Sequence, residues 1–180
     1  MNLEALPEEA LKEILALTEA KKRLELREEA TEKFMPFAHH VYENFIEGQH
    51  HRVIAEKLER VARGEIKRLI INMPPRHSKS EFASFLMPAW FLGRNPKLKI
   101  IQATHNTELA VRFGRKVRDL IDDPAYKEIF PETNLKEDNK GAGKWGTTAG
   151  AEYFAAGVGA AITGRGADLL IIDDPHSEQD

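Results

Sequence analysis

Apolar and polar positions along the chain follow two periods, and the places where one gives way to the other predict the elements. From Pro7 to about Lys33 the sequence is rich in Glu, Lys, Leu and Ala, with Leu11, Ile14 and Leu15 on one face and a polar stretch from Thr18 to Arg23. This spacing predicts a solvated or partner-docking helical arm. Gln49-His50-His51 opens a more amphipathic helix, with Ile54, Leu58 and Val61 at i, i+4 and i+7, Arg60 and Arg63 in its last turn, and Gly64 as its stop. Arg68-Leu-Ile-Ile-Asn-Met73 is a short apolar run ending in Pro74-Pro75, the pattern of a buried parallel strand followed by a loop. Ser80 to about Phe91 reads as the next helix, kinked or ended near Pro88.

The alternation then repeats. Leu98–Thr104 predicts a strand, Asn106 or Thr107 can cap, and Ala110, Phe113, Val117, Leu120 and Ile121 keep helical spacing until Pro124. Strand, loop and helix twice over predict βαβ connectivity, hence an α/β fold with a mostly parallel sheet and flanking helices. Eight of the twelve glycines fall between Gly141 and Gly166, which predicts hairpins and turns around short strands such as Ala151–Phe154. The last expected strand, Ala167–Asp173, is an apolar run closed by Asp173-Asp174. No internal repeat or low-complexity segment interrupts this order.

Composition narrows the class. A chain of 180 residues, 42% hydrophobic and 31% charged, can bury a real core, which sets aside overall disorder. No cysteine is present, so disulfides and thiolate metal sites are excluded, and a reducing interior is the natural setting. No apolar run approaches the roughly 20 residues that span a bilayer, and the N-terminus is acidic where a secretory signal would be basic. The expectation is a cytoplasmic protein without a membrane partner.

The net charge of −3 hides an asymmetry: residues 60–118 carry 13 Lys/Arg against Glu65, Glu81 and Glu108 alone, while residues 119–180 carry 13 acids against five bases. The basic stretch can face phosphates or nucleic acid, or it can fold against the acidic third.

The chemistry concentrates at two places. Between the 68–73 run and the next helix lies Pro74-Pro75-Arg76-His77-Ser78-Lys79-Ser80, placed as a phosphate-binding loop would be. There, backbone N–H groups at a helix start face an anion, a lysine reaches the outer phosphates and a hydroxyl ligates magnesium. Lys79 and Ser80 supply the last two. Against G-x-x-x-x-G-K-[ST], Met73 and Ser78 occupy the glycine positions, so the pattern itself fails and an ordinary basic loop is the alternative. About ninety residues on, the apolar run Leu169–Ile172 delivers Asp173-Asp174, and in P-loop enzymes two such acids hold magnesium and orient the attacking water. The histidine pairs His39-His40 and His50-His51 lack the i, i+4 placement of a metal site. Trp90 and Phe91 read as core.

Residues 63–80 and 162–175 closely resemble the large terminase subunit of tailed bacteriophages and prophages, the ATPase that drives DNA into procapsids. The resemblance runs from about Phe45 to Asp180, and its specific part is the glycine-poor Pro-Pro-Arg-His-Ser-Lys-Ser loop, residues 74–80. It implies a P-loop NTPase-type domain over residues 37–180 behind the 1–36 arm, with ATP and Mg²⁺ as cofactors. It makes Lys79 the phosphate-binding lysine, Ser80 the magnesium hydroxyl, Arg76 a γ-phosphate contact, Asp173 the magnesium-associated acid and Asp174 the water-activating carboxylate. Pro75, His77 and Ser78 complete the loop around the nucleotide, although His77 reads equally as a spacer. Glu178 is a weaker acid candidate. Gln49 matches an adenine-reading glutamine, or is a plain helix-start residue.

Arg165 stands where the family places an arginine that reaches a neighbour's nucleotide; pairing with Asp168 in a surface turn is the alternative. Arg112, Arg115, Lys116 and Arg118 can bind DNA phosphates or a neighbouring subunit, or form a solvated face. The partners implied are double-stranded DNA, the portal protein and the small terminase subunit, in a homo-oligomeric ring at the procapsid in the host bacterial cytoplasm. A full large terminase adds a nuclease domain. This chain stops seven residues after Asp173, so the nuclease is expected to be absent and the ATPase sheet incomplete at the C-terminus. Two rival readings are a helicase-like ATPase and a catalytically inactive truncated fragment serving as an assembly or DNA-binding module.

Overall fold

The computed structural model describes residues 7–160, 162 and 164–176. The arm is a 25-residue helix, α1 (Glu8–Glu32), followed directly by α2 (Phe34–Val41). Leu15, Leu17 and Leu24 remain exposed along α1, whereas its last turns are tied to the body. Trp90 Nε1 donates to the Ala30 carbonyl at 2.9 Å and Arg94 pairs with Glu32 at 3.2 Å. In α2, Phe34, Phe37 and Ala38 are fully buried, so residue 36 lies within an element of the core. Phe34 meets Phe82 and Trp90 edge-on, both at 5.4 Å, an arrangement that suits the ring quadrupoles.

Helix α3 (Gln49–Ala62) forms where the apolar spacing places it. Gly64 has φ +74°, its amide bonds to the Val61 carbonyl, and the Glu65 amide bonds to the Arg60 carbonyl. That double return closes the helix in a left-handed turn that glycine adopts without steric cost.

The next expected element differs. Residues 68–73 form no strand: among the described residues no backbone–backbone hydrogen bond involves residues 67–77. Leu69, Ile71 and Met73 still pack on the core while Ile70 is 84% exposed, so the run keeps strand-like alternation without a ladder. Beyond the loop the chain is π-helical over Glu81–Leu86 and continues as α4 (Met87–Arg94). Pro88 therefore does not end the helix. It occupies the first turn of α4, where proline's missing N–H is tolerated.

The remaining elements are β1 (Lys99–Thr104), α5 (Thr107–Ile121), α6 (Pro124–Ile129), β2 (Leu135–Lys140), β3 (Lys144–Thr147), β4 (Glu152–Gly157) and β5 (Leu169–Ile172). Asn106 caps α5, accepting from the Leu109 amide at 2.8 Å. The strands form one sheet in the order β2-β3-β4-β1-β5. Pairs β1/β4 and β1/β5 are parallel and β2/β3 and β3/β4 antiparallel. The fold is α/β, but the sheet is mixed instead of mostly parallel. The glycine-rich span builds an antiparallel meander, and the first expected βαβ unit lacks its leading strand.

Helix α5 lies on one sheet face, over Tyr153 and Ala155. Gly114 makes this approach possible, because a Cβ there would stand 2.6 Å from the Ala142 carbonyl oxygen and 3.1 Å from the Tyr153 ring. Trp145 stacks on Tyr153 at 4.7 Å and donates from Nε1 to the Gly114 carbonyl. On the other face Leu170 and Ile172 stay more than half exposed.

Candidate functional site

The parallel strands β1 and β5 end at the same sheet edge, where ligands of open α/β sheets collect. Asp173 follows β5 and is anchored by its amide to the Ala103 carbonyl at 2.9 Å; the Asp174 carbonyl accepts from the His105 amide at 3.0 Å. Across from them stands the loop of residues 74–80. Lys79 Nζ lies 2.7 Å from Asp174 Oδ1 and 3.7 Å from Asp173 Oδ1. The hydrogen bond that Lys79 donates to Asp174 holds its ammonium above the ordinary lysine range, against a smaller opposing effect of burial. Asp173 is almost fully buried, and its Oδ2 accepts a hydrogen bond from Ser84 Oγ at 2.8 Å.

Three non-glycine residues of this site have left-handed backbones: Arg76 (φ +63°), Ser78 (φ +60°) and Asp174 (φ +42°). Ser78 stands at the second glycine position of the phosphate-loop pattern, and it adopts the conformation for which glycine is ordinarily chosen. An L-residue there carries a strain of about 1 kcal/mol. Met73, at the first glycine position, is not among the residues with positive φ.

The start of α3 adjoins the loop through the His50 and His77 rings, 5.6 Å apart. Gln49 is therefore beside the loop, exposed at the first turn. His77 Nδ1 lies 2.9 Å from the Pro75 carbonyl oxygen, which holds its ring against the loop backbone. His51 is buried and accepts at Nδ1 from the Gly48 amide; burial lowers its proton affinity. Arg76 is exposed, and Ser80 is half-buried at the helix start.

Arg165 is not brought to this group. Its guanidinium lies over the Phe154 ring at 4.0 Å, and the Asp168 carboxylate is engaged by the Lys99 amide at 2.8 Å instead. Of the four cations on α5, Lys116 pairs with Glu81 at 2.8 Å and Arg118 with Asp119 at 2.6 Å. Arg112 and Arg115 are exposed and, with Asn106 and Leu109, line an open cleft of about 330 Å³ at the same end of the sheet as the loop. Glu178 lies outside the described residues.

Sequence reasoning missed Ser84 and His105. Ser84 did leave a signal, being the one hydroxyl in the run Phe82–Leu92, and a buried hydroxyl needs a partner. His105 contributes through its backbone, which no side-chain pattern reports.

No helix among the described residues is long and apolar enough to cross a membrane. Comparison of the chain with protein-family models, with curated proteins and with solved structures returns no match.

Proposed function

We propose that the loop of residues 74–80 and the Asp173-Asp174 pair form a Mg-ATP binding and hydrolysis site of P-loop type, in a motor that moves double-stranded DNA into procapsids. The observation that carries this reading is the meeting of Lys79 with both acids, 94 and 95 positions away, at the C-terminal edge of parallel strands. A bare basic loop has no reason to be matched in this way. The DNA-packaging assignment, with portal, small subunit and ring assembly in the bacterial cytoplasm, rests on the resemblance of residues 63–80 and 162–175 to large terminase subunits.

The donor set suits magnesium. Ser80 and one oxygen of Asp173 would supply hard oxygen ligands. The ion would take its other ligands from phosphates and water, as Mg²⁺ does at nucleotide sites. When bound it would neutralise phosphate charge. Lys79 would exchange Asp174 for the β- and γ-phosphates, Arg76 would face the γ-phosphate, and the freed Asp174 carboxylate would orient and deprotonate the attacking water. Arg165, exposed over Phe154, would have to act on the nucleotide of a neighbouring subunit if it is an arginine finger. Arg112 and Arg115 are the two cations of α5 best placed to meet DNA phosphates.

The test is a calorimetric titration of Mg-ATP onto the chain and its Lys79→Ala variant, with phosphate release measured in the same samples. Saturable binding lost in the variant supports the site. A folded wild-type chain that binds nothing at millimolar nucleotide overturns it.

A further inference from the structure

We propose that Ser84 is a positioning residue of this site: it fixes the rotation of the Asp173 carboxylate, so that one oxygen is presented to the nucleotide's magnesium. The inference rests on the Mg-nucleotide reading given above.

Ser84 and Asp173 are both buried, at 0% and 7% exposure, and their hydrogen bond spans 89 positions of sequence. A buried carboxylate needs donors for its lone pairs, and each missing one is costly. With Oδ2 satisfied by Ser84, Oδ1 is the oxygen that faces Lys79. In an α-helix a serine hydroxyl commonly bonds back to the carbonyl four residues earlier. Here it donates outward to another element.

The winding of the chain explains this direction. Residues Glu81–Leu86 are π-helical, and the Met87 amide donates to the Phe82 carbonyl, five residues back. A π-turn advances fewer degrees per residue than an α-turn, so position 84 is aimed differently from the fourth residue after Ser80 in a regular helix. Such widened turns recur at functional sites. Neighbouring contacts hold the segment in place: Phe82 packs on Phe34, and Glu81 is pinned by Lys116.

Without the hydroxyl, Asp173 would lose its inner donor, and its carboxylate would be free to turn, so that Oδ1, already 3.7 Å from the Lys79 ammonium, would no longer be held in one direction for the metal. Phosphate binding through Lys79 and the loop amides would persist. The part of the affinity that depends on magnesium would fall.

The experiment is a titration of ADP onto wild type, Ser84→Ala, Ser84→Cys and Lys79→Ala, each with excess Mg²⁺ and with EDTA; circular dichroism establishes that each variant is folded. For Ser84→Ala the gain in affinity on adding Mg²⁺ should shrink about tenfold, while affinity in EDTA stays within twofold of wild type. Ser84→Cys, with a weak donor of similar size, should fall between; it also serves if the alanine variant does not fold. A Mg²⁺ gain equal to wild type in both variants overturns the proposal, as does equal loss with and without Mg²⁺. If wild type binds ADP in neither condition, the nucleotide reading itself fails. If wild type binds and Lys79→Ala does not, that reading stands, and the serine variants alone decide this inference.

Discussion

Lys79 Nζ and Asp174 Oδ1 lie 2.7 Å apart, so the group expected to hold phosphate is held by the carboxylate expected to activate water. Nucleotide binding has to exchange one anion for another at this ammonium. Removing the charge with Asp174→Asn should therefore tighten Mg-ADP binding several-fold, because the exposed pair is a weak competitor, and it should abolish ATP turnover. Calorimetry and phosphate release report the two effects separately, and unchanged or weaker binding would contradict the exchange.

The same contact gives a pH signature. Asp174 raises the folded-state pKa of Lys79, so its contribution to stability is complete below the unfolded lysine value of about 10.4. It is lost as pH rises through the higher folded value. The stability difference between wild type and Lys79→Met should be flat from pH 7 to 9 and shrink above about pH 10.5 in urea titrations. A difference that instead changes across neutral pH would be inconsistent with this pair.

Relief of loop strain is measurable. Ser78→Gly removes a left-handed L-residue at φ +60° and should raise stability by about 0.5 kcal/mol, the strain being partly offset by the entropy glycine loses on folding. Ser78→Val, β-branched at the same backbone, should destabilise by at least 1 kcal/mol. Thermal unfolding of the two variants reads the sign directly.

Gly114→Ala tests the seat of α5. Its new methyl would meet the Ala142 carbonyl oxygen at 2.6 Å, a backbone atom that cannot turn aside, and would disturb the Trp145 hydrogen bond to the Gly114 carbonyl. A loss of about 1–3 kcal/mol follows from overpacking. A neutral outcome in urea denaturation would mean that the helix does not sit so close.

Hydrogen exchange distinguishes the two apolar runs that looked alike. Amides of Ile100–Ala103, in the ladder between β4 and β5, should be protected near the global unfolding free energy. Amides of Arg68–Met73 have no backbone partner among the described residues and should exchange orders of magnitude faster. Equal protection would show that residues 68–73 are paired in solution.

The two runs show where sequence reasoning stops. Leu69-Ile-Ile and Leu169-Leu-Ile-Ile have the same local character, and both place alternate residues on the core. Among the described residues only the second is hydrogen-bonded to a neighbouring strand, β1. Strand propensity is a statement about fitting a pleated surface, and pairing is decided by what lies alongside. The mixed sheet has a similar origin: β4 was legible as a short strand among glycines, yet its parallel register with β1 and its antiparallel contact with β3 are long-range choices.

At the site, residue types were readable and relationships were not. Lys79, Ser80, Asp173 and Asp174 could be singled out because strand, loop and helix boundaries are written in local periodicity and turn chemistry. Ser84 stood out only as a lone hydroxyl in an apolar run; its partner could not be read, because it is 89 positions away and the direction comes from a π-turn that no propensity encodes. Lys116 and Arg118 looked equivalent to Arg112 and Arg115 until folding brought Glu81 to the first and set the second against Asp119.

By itself the sequence determined the helix opening at Gln49 and stopped by Gly64, a second helix starting at Asn106 or Thr107 and ending before Pro124, the acids at the end of β5 and the position of the loop, since each depends on interactions within a few residues. Tertiary structure alone decided which apolar run joined the sheet, that Ser78 and Asp174 are held in left-handed conformations, and that Lys79 rests on Asp174. Those outcomes depend on the free energy of contacts between distant segments, which local sequence does not contain.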